Sequence, residues 1–323
     1  MQNKSLEKKS RFATLRTPII MTGIFWAIAV VVWQLSGQWF YIVNFGYIGT
    51  SIGVGMGWYA MLPKNKKYKG RRLSQLLVGI YMLGFLGFIA RENMQIEGFF
   101  FYLLTGLFAG AVLHYFIAKL VGPLVFNRAW CSWACWTAMV LDFLPFERNR
   151  SGRLATRWGN IRYAHFAISL GLVLVFWFVV GYRVESFSIT ELYWLAGGNV
   201  LYYASAVALA FGLKDNRAFC KYVCPITTFL KTGSRLALWK ISGDASKCNM
   251  CGACEKICPM DVRITDYVKA GTRVLSTECI MCLRCENVCA QKALTANWRF
   301  DCGTRELLTM ITRQDSHVSR VKS

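Results

Sequence analysis

Long apolar stretches separated by short polar loops dominate the first two thirds of the chain. Six of them approach the ~20 residues that a helix needs to cross the hydrocarbon core of a bilayer, and they cover residues 18–35, 40–62, 73–90, 99–118, 163–182 and 192–213. Because backbone polar groups in lipid must be satisfied within the segment, each stretch is predicted to be a helix. The pattern therefore predicts a polytopic membrane domain over residues 18–225, preceded by a basic tail, 1–17.

Basic residues are concentrated in alternate loops. Residues 1–17 carry five Lys and Arg, residues 63–72 carry six, and residues 125–162 carry six more. If all six stretches cross the membrane, these basic segments lie on one side, which the positive-inside rule places in the cytoplasm. We therefore expect a multi-pass protein of the inner (cytoplasmic) membrane with both termini in the cytoplasm. The net charge of +21 then reflects topology and lipid contact, not nucleic-acid binding.

Eight cysteines with a repeated spacing follow the membrane domain. Each run reads C-x2-C-x2-C-x3-C, the ligand pattern of bacterial-type ferredoxins with two [4Fe–4S] clusters. Three closely spaced cysteines bind one cube in such proteins, and the fourth binds the other. The spacing assigns cluster I to Cys248, Cys251, Cys254 and Cys289, and cluster II to Cys279, Cys282, Cys285 and Cys258. A zinc site or a disulfide framework is the alternative, but zinc sites favour separated pairs.

The two runs define a small α+β ferredoxin domain over residues 226–300. Residues 236–241 are predicted to form a short strand, and the insert 261–278 is predicted to supply the other small strands. Residues 301–323 form a polar tail. The expected fold class is therefore an all-α polytopic membrane bundle of about six helices, followed by this ferredoxin domain.

An internal repeat precedes the ferredoxin domain. Residues 127–135 read NRAWCSWAC and residues 216–224 read NRAFCKYVC, each after a predicted helical hairpin. The copies follow one another in the same sense, which predicts a parallel repeat with units at about 73–136 and 162–225. Cysteines at i and i+4 share a helix face. The repeat is therefore expected to bring four thiols together, those of Cys131, Cys135, Cys220 and Cys224.

Four thiols at one point favour a third redox centre, most plausibly another iron–sulfur cluster. A soft metal such as copper(I), a thiol pair that cycles with a disulfide, and simple packing of buried cysteines are the alternatives. Arg128 and Arg217, which occupy matching positions in the two copies, either offset thiolate charge or contact lipid phosphate.

Two histidines fall within the predicted spans. His114 and His165 are expected at comparable depth in the inner half of the bilayer. Polar residues at such depth are costly and often functional. They could hydrogen-bond a quinone headgroup, ligate a b-type haem, or simply bond to neighbouring helices.

Membrane helices, two C-x3-C motifs and a two-cluster ferredoxin domain together resemble the NapH/NosR family of membrane polyferredoxins. The resemblance covers roughly residues 73–294, and the first motif departs from the family pattern because Trp136 replaces a proline. It implies an electron relay between the ferredoxin clusters, the C-x3-C centre and a quinol/quinone pool. Partners implied are a periplasmic reductase, a cytochrome or a flavoprotein, and the chain could be a quinol dehydrogenase component.

Two other functions stay open at this point. Ferredoxins of the FixG/RdxA kind, which are related to the NapH/NosR family, imply a metallocentre assembly or copper-reducing accessory role. A redox-sensing regulator is the third alternative.

Overall fold

The computed structural model describes residues 2–107, 110–146, 152–185 and 188–301, and the described chain is mostly helical. The N-terminal part contains α1 (Gln2–Ser36), α2 (Phe40–Met61) and α3 (Lys67–Ile80), which continues into a π-helix, Tyr81–Ile89. Helix α2 packs against both α1 and α3. The approach is close, because a Cβ atom at Gly55 would collide with Ser74 of α3.

The region that ends in the first C-x3-C motif is divided into short helices. They are α4 (Ile96–Thr105), α5 (Gly110–Tyr115), a π-helix (Phe116–Val121), α6 (Gly122–Phe126), α7 (Trp130–Trp133) and α8 (Trp136–Leu141). The chain bends by 118° between α4 and the segment Gly110–Phe126. Gly106 caps α4 in the left-handed conformation, with φ of 73°, and thereby ends the helix.

The region that ends in the second motif has longer helices. A 3-10 helix (Thr156–Asn160) leads into α9 (Ile161–Val175) and a π-helix (Phe176–Val180). Helix α10 (Ile189–Leu213) is continuous, and the Ser188 side chain accepts a hydrogen bond from the Thr190 amide at its start. Two short helices follow, α11 (Ala218–Tyr222) and α12 (Thr227–Ser234).

The expectation of a continuous helix over residues 99–118 is wrong, because the chain breaks and bends between α4 and α5. Among the described residues, four helices are long and apolar enough to cross a membrane: Leu15–Ser36, Lys67–Ile89, Arg157–Val180 and Ile189–Leu213. The bent pair α4 and Gly110–Phe126 would make a fifth. Helix α2 is not among these four, although it has 22 residues, and its buried face includes glycines and Asn44.

The C-terminal domain contains a two-stranded antiparallel sheet and three short helices. The elements are β1 (Trp239–Gly243), α13 (Ala253–Lys256), α14 (Ile264–Lys269), α15 (Arg284–Val288) and β2 (Leu294–Trp298). Trp239 pairs with Trp298 and Gly243 with Leu294, so the strands flank the two cysteine runs and close the domain.

The prediction of strands in the insert 261–278 is wrong, since the helix α14 lies there. Its buried residues are Ile264, Tyr267 and Val268. That spacing of i, i+3 and i+4 is helical, so the insert buries one helix face instead of pairing as a strand.

Candidate metal centres

One largely enclosed cavity in the C-terminal domain is lined by four cysteines, Cys258, Cys279, Cys282 and Cys285. The other lining side chains are almost all apolar. Burial raises the pKa of Cys258 to about 11 and that of Cys279 to about 12. Thiolates in such a site need a cationic metal beside them, so the donor set and the apolar lining fit a [4Fe–4S] cube. These are the cysteines that the spacing assigned to cluster II.

The cysteines assigned to cluster I lie at the surface of the same domain. Cys251 is exposed, and the half-buried members of the set are Cys248, Cys254 and Cys289. The Cys289 thiol accepts a hydrogen bond from the Ala293 amide at 3.3 Å.

The two cysteine runs wind in the same way. Residues at equivalent positions have positive φ angles, 56° at Met250 and 49° at Met281, then 69° at Gly252 and 60° at Leu283. A short helix then begins at the next residue in each run, Ala253 or Arg284. The repeated left-handed turns give both loops the same curvature, as wrapping of two similar cubes requires.

The four cysteines of the C-x3-C motifs are buried or half-buried. Burial raises the pKa of Cys220 to about 11, a rise that Arg217 opposes and that Cys131 and Cys135 of the other motif support. Burial also raises the pKa of Cys224, and the other three thiols add to the effect. The thiols of the two motifs are therefore close enough to influence one another's pKa.

The expectation that each motif lies on one helix face is wrong. Helix α7 ends at Trp133 and α11 ends at Tyr222, so the second cysteine of each motif lies beyond its helix. The amide of Cys135 donates to the Trp130 carbonyl, and that of Cys224 donates to the Phe219 carbonyl, both at 3.0 Å. A wider turn of six residues, closed by a hydrogen bond between residues i+5 and i, thus sets the position of the second thiol.

In the part of the chain that the structure describes, no three His, Cys, Asp or Glu side chains converge closely enough to hold a single metal ion. A single zinc ion requires thiolates about 2.3 Å from one point. The four thiolates of a cube instead bind four different iron atoms.

Two arginines beside the C-x3-C thiols occupy equivalent places in the repeat. Arg217 donates to the Cys131 carbonyl at 3.1 Å, lies 4.0 Å from the Cys220 sulfur and pairs with Asp142 at 2.7 Å. Arg128 donates to the Thr277 carbonyl at 2.9 Å and pairs with Glu278 at 3.2 Å. Both side chains are almost completely buried, which excludes the lipid-phosphate alternative and leaves charge compensation near the thiols.

A third cation near these thiols was missed by the sequence reasoning. The Lys119 ammonium lies 4.3 Å from the centre of the Trp130 ring and 5.8 Å from that of Trp136. Burial raises the pKa of Cys135, whereas the Lys119 charge lowers it. The sequence feature that could have predicted this contact is the position of Lys119, at the end of an apolar stretch and shortly before the first motif.

The loop around cluster II is hydrogen-bonded to the first C-x3-C motif. The Ser132 hydroxyl donates to the Ile280 carbonyl at 2.7 Å, and the Trp133 indole donates to the Met281 carbonyl at 3.0 Å. Ser132 and Trp133 lie between Cys131 and Cys135, while Ile280 and Met281 lie between Cys279 and Cys282. The cluster II loop and the C-x3-C site are therefore in direct contact.

Buried ion pairs surround this contact. Glu278 accepts from four cations, at 3.2 Å from Arg128, 3.4 Å from Arg153, 2.9 Å from Arg162 and 2.7 Å from Lys231. Burial alone would raise the pKa of Glu278, but these cations hold it well below its usual range.

A second buried pair joins the other C-x3-C motif to the ferredoxin domain. Lys221, which lies between Cys220 and Cys224, binds Asp215 and Asp261, each at 2.5 Å. Sequence reasoning missed Lys221 and Glu278, although each adjoins a cysteine of interest.

The structure does not bring the two candidate histidines to one site. His114 is buried with its ring edge against Trp130, at a ring-centre distance of 4.6 Å. His165 instead contacts the Val223 carbonyl through Nδ1 at 2.9 Å. It lines an open groove of about 1450 Å³ that also contains Glu97, Ser169 and Val223, but not His114.

Comparisons with known proteins support this description. Residues 240–290 match a family model described as a 4Fe-4S dicluster domain. Residues 108–150 and 200–242 each match a model described as a 4Fe-4S binding domain, and these ranges contain the two C-x3-C motifs. No solved structure matches the chain.

Among curated relatives, an uncharacterized protein of Methanocaldococcus jannaschii is 25% identical over 214 residues, which cover 65% of this chain and 81% of that protein. The methylamine utilization ferredoxin-type protein MauN of Methylorubrum extorquens is 26% identical, over 71% of this chain and 88% of its own. Escherichia coli YccM, named as an electron transport protein, is 24% identical over 48% of each chain. The present chain is an iron–sulfur electron-transfer protein with [4Fe–4S] clusters and membrane-type helices.

Proposed function

We propose that this protein relays electrons between cytoplasmic [4Fe–4S] clusters, a C-x3-C centre and a quinol/quinone pool, in the manner of the NapH/NosR-type polyferredoxins. The observation that carries the proposal is the groove beside His165. It reaches Val223, the residue directly before Cys224, so a ring bound there lies next to the second motif.

The shape and lining of the groove suit a lipid-soluble redox ring. It lies between α9 and α10, where the exposed side chains of Ile168, Tyr193 and Leu201 face outward. Its wall is mainly apolar, with a few polar groups near Glu97 and His165. An apolar pocket with a small number of placed polar groups is typical of cofactor and small-molecule sites.

Two side chains in the groove can accept and donate the protons that a quinol releases on oxidation and a quinone takes up on reduction. When Nδ1 of His165 donates to the Val223 carbonyl, Nε2 is the unprotonated nitrogen and can accept a quinol proton. Glu97 accepts from the Ser169 hydroxyl at 2.5 Å, and its other oxygen has no partner among the described residues. In the oxidising direction a quinol thus gives two protons to these groups and two electrons, one at a time, to the centre. The reducing direction reverses each transfer.

For the centres we propose the ligand sets that the spacing predicts. The cavity of Cys258, Cys279, Cys282 and Cys285 supports cluster II, and the matched curvature of the loops supports cluster I. A third iron–sulfur centre at Cys131, Cys135, Cys220 and Cys224 is supported by the 4Fe-4S family match over both copies. Each centre supplies a one-electron carrier when bound.

The orientation that we propose places the ferredoxin domain and both termini in the cytoplasm of a cell with an inner membrane. Contacts with the ferredoxin domain come from the end of α2, through Tyr59 and Asn287, and from the start of α9, through Arg162 and Glu278. They also come from Arg128, after α6. These helix ends therefore share one side, as the alternating basic loops require. The domain limits proposed are 18–225 and 226–300.

Quinol turnover by the full-length protein in nanodiscs tests the relay. We expect a soluble ubiquinol or menaquinol analogue to reduce the clusters, followed by electron paramagnetic resonance, or the quinone to reoxidise reduced clusters. His165→Gln should slow the exchange roughly 100-fold or more, the usual contribution of a general acid or base. Ser205→Ala, in the same groove but bonded to its own helix, is the matched control. Loaded clusters that exchange no electrons with either form of the quinone would refute the proposal.

Iron and acid-labile sulfide per chain test the third centre. Three cubes give about twelve irons and two give about eight, because each cube holds four. Cys131→Ser/Cys220→Ser should remove about four irons and leave the ferredoxin-type signal intact. Eight irons in the wild type, with no loss in the variant, would show that these thiols do not hold an iron–sulfur cluster.

A further inference from the structure

A wide basic cleft separates the loop before α3 from the second cysteine run. Its open volume is about 1250 Å³. Four cationic side chains line it, namely Lys64, Arg71, Arg72 and Arg284, and none of its lining residues is a carboxylate. Membrane topology accounts for the positive charge of residues 63–72 but not for a cleft beside the ferredoxin domain, and the relay does not use this cleft.

Neighbouring acids neutralise only part of this charge. Arg71 is paired with Asp142 at 2.7 Å. Glu286 is half-buried; burial raises its pKa, while the hydrogen bond from the Ala296 amide and the charges of Lys67 and Lys64 oppose that rise. Three more lysines of the same loop, Lys66, Lys67 and Lys69, add positive charge at or near the surface. The cleft therefore presents a net positive field to the solvent.

Arg72 lines the cleft, and the acid that acts on it is Asp142, which already pairs with Arg71 and Arg217. Its guanidinium lies 5.0 Å from the Tyr68 ring centre and 5.3 Å from that of Phe143. Its Nε atom is buried and has no hydrogen-bond partner among the described residues. A cation held in this way is positioned for an external anion.

The cleft leads to cluster II. Cys282 lines both the cleft and the cavity that holds the four cluster II thiols. Cys258 and Cys285 are buried, whereas Cys282 is half-buried, so the cleft beside Arg284 is one approach from solvent to this cluster.

We propose that an acidic electron-carrier protein docks in this cleft and exchanges single electrons with cluster II at Cys282. The inference rests on the proposed function, because it assumes that cluster II is a relay centre. In each encounter one electron passes between the carrier and the cluster, and no bond forms or breaks. Weak electron-transfer encounters use small interfaces and depend on complementary charge for their rate. A carrier protein fits better than a lipid headgroup because one wall, Arg284, belongs to the ferredoxin domain itself.

Stopped-flow reduction of the full-length protein in nanodiscs tests the proposal, with a reduced acidic bacterial ferredoxin as the probe. Electrostatic steering changes association rates by 10 to 10³-fold. Lys64→Glu/Arg284→Gln should therefore lower the second-order rate constant roughly tenfold or more at low salt. The difference should vanish near 1 M salt, where charges are screened within about 3 Å. With the cationic horse cytochrome c as electron acceptor, the same variant should react faster than the wild type.

The matched control is Lys269→Glu/Lys292→Gln, which makes the same change in net charge at exposed positions outside the cleft. The single variant Lys64→Glu separates steering from any effect of Arg284 on cluster potential. Equal slowing in control and cleft variants, or no slowing in the cleft variant, overturns the docking site. A cleft variant that loses binding to phosphatidylglycerol vesicles while its ferredoxin rate is unchanged assigns the cleft to lipid and also overturns it. Clusters that chemical reductants or quinols cannot reduce in the wild type would instead refute the relay.

Discussion

At the scale of single residues, charge near the C-x3-C thiols is the feature most open to test. Arg128 and Arg217 each have a carboxylate partner. The Lys119 ammonium instead lies over two tryptophan rings, and the thiols of Cys131, Cys135 and Cys224 interact with its charge. A buried cation without a paired carboxylate is costly, so an anionic centre at these thiols would stabilise it.

We expect Lys119→Met to lower the midpoint potential of the C-x3-C centre. Reduction adds one negative charge, which a nearby ammonium stabilises, so its loss favours the oxidised form. The shift should be several tens of millivolts, since about 59 mV corresponds to a tenfold change for one electron. A redox titration by electron paramagnetic resonance measures it, with iron content as a check on loading. Lys119→Arg should keep the wild-type potential, and an unchanged potential in Lys119→Met would contradict this role.

At the scale of elements, the cluster II loop is locked to the first C-x3-C motif. Two hydrogen bonds, from Ser132 and Trp133, align the loops, and the four cations around Glu278 fix the ferredoxin domain beside the helices. Removing one member of a buried ion pair leaves its partners charged and unpaired, which typically lowers the free energy of unfolding by about 3–5 kcal/mol. The contact is therefore rigid as long as the carboxylate is present.

Glu278→Gln should loosen this contact and slow electron transfer between cluster II and the C-x3-C centre. Hydrogen–deuterium exchange should increase in residues 276–281, and the rate of re-equilibration after rapid reduction should fall. Asp244→Asn removes an exposed pair with Lys247 in the same domain and should change neither quantity. Normal exchange in Glu278→Gln would show that the hydrogen bonds alone hold the loop.

At the scale of the whole molecule, the arrangement places the ferredoxin domain against one end of the helices. Helix α2 returns to this end and packs closely through its glycines, because Cβ atoms at Gly49 and Gly55 would collide with Phe25 of α1 and Ser74 of α3. Hydropathy alone therefore undercounts the crossings that the proposed topology needs.

Epitope insertion tests that topology. A tag after Gln38, between α1 and α2, should be labelled in intact spheroplasts, and a tag after Ser323 should be labelled only after permeabilisation. The basic loops on the opposite side give this direction by the positive-inside rule. Labelling of both tags under the same condition would mean that an even number of segments crosses the membrane between them, which contradicts the proposed topology with six crossings.

The sequence indicated the cofactor type and the grouping of the thiols with little help from geometry. Spacing alone named Cys258 with Cys279, Cys282 and Cys285, and these four share one cavity. The sequence prediction was wrong for the insert 261–278. This insert forms a helix that buries Ile264, Tyr267 and Val268, and not the expected strands. The prediction also paired His114 with His165 by depth, although depth says nothing about position around the bundle.

Cysteine spacing is a local property, because metal ligation by neighbouring residues requires short, fixed separations along the chain. Apolar length is local too, since a bilayer has one thickness. The sequence by itself therefore determined an iron–sulfur protein with membrane-type helices. Only the tertiary structure decided that Glu278 gathers four cations, that Lys119 faces the C-x3-C thiols and that a basic cleft opens at Cys282. These three features depend on contacts between residues that are far apart in the chain. Packing of the helices and the ferredoxin domain brings those residues together.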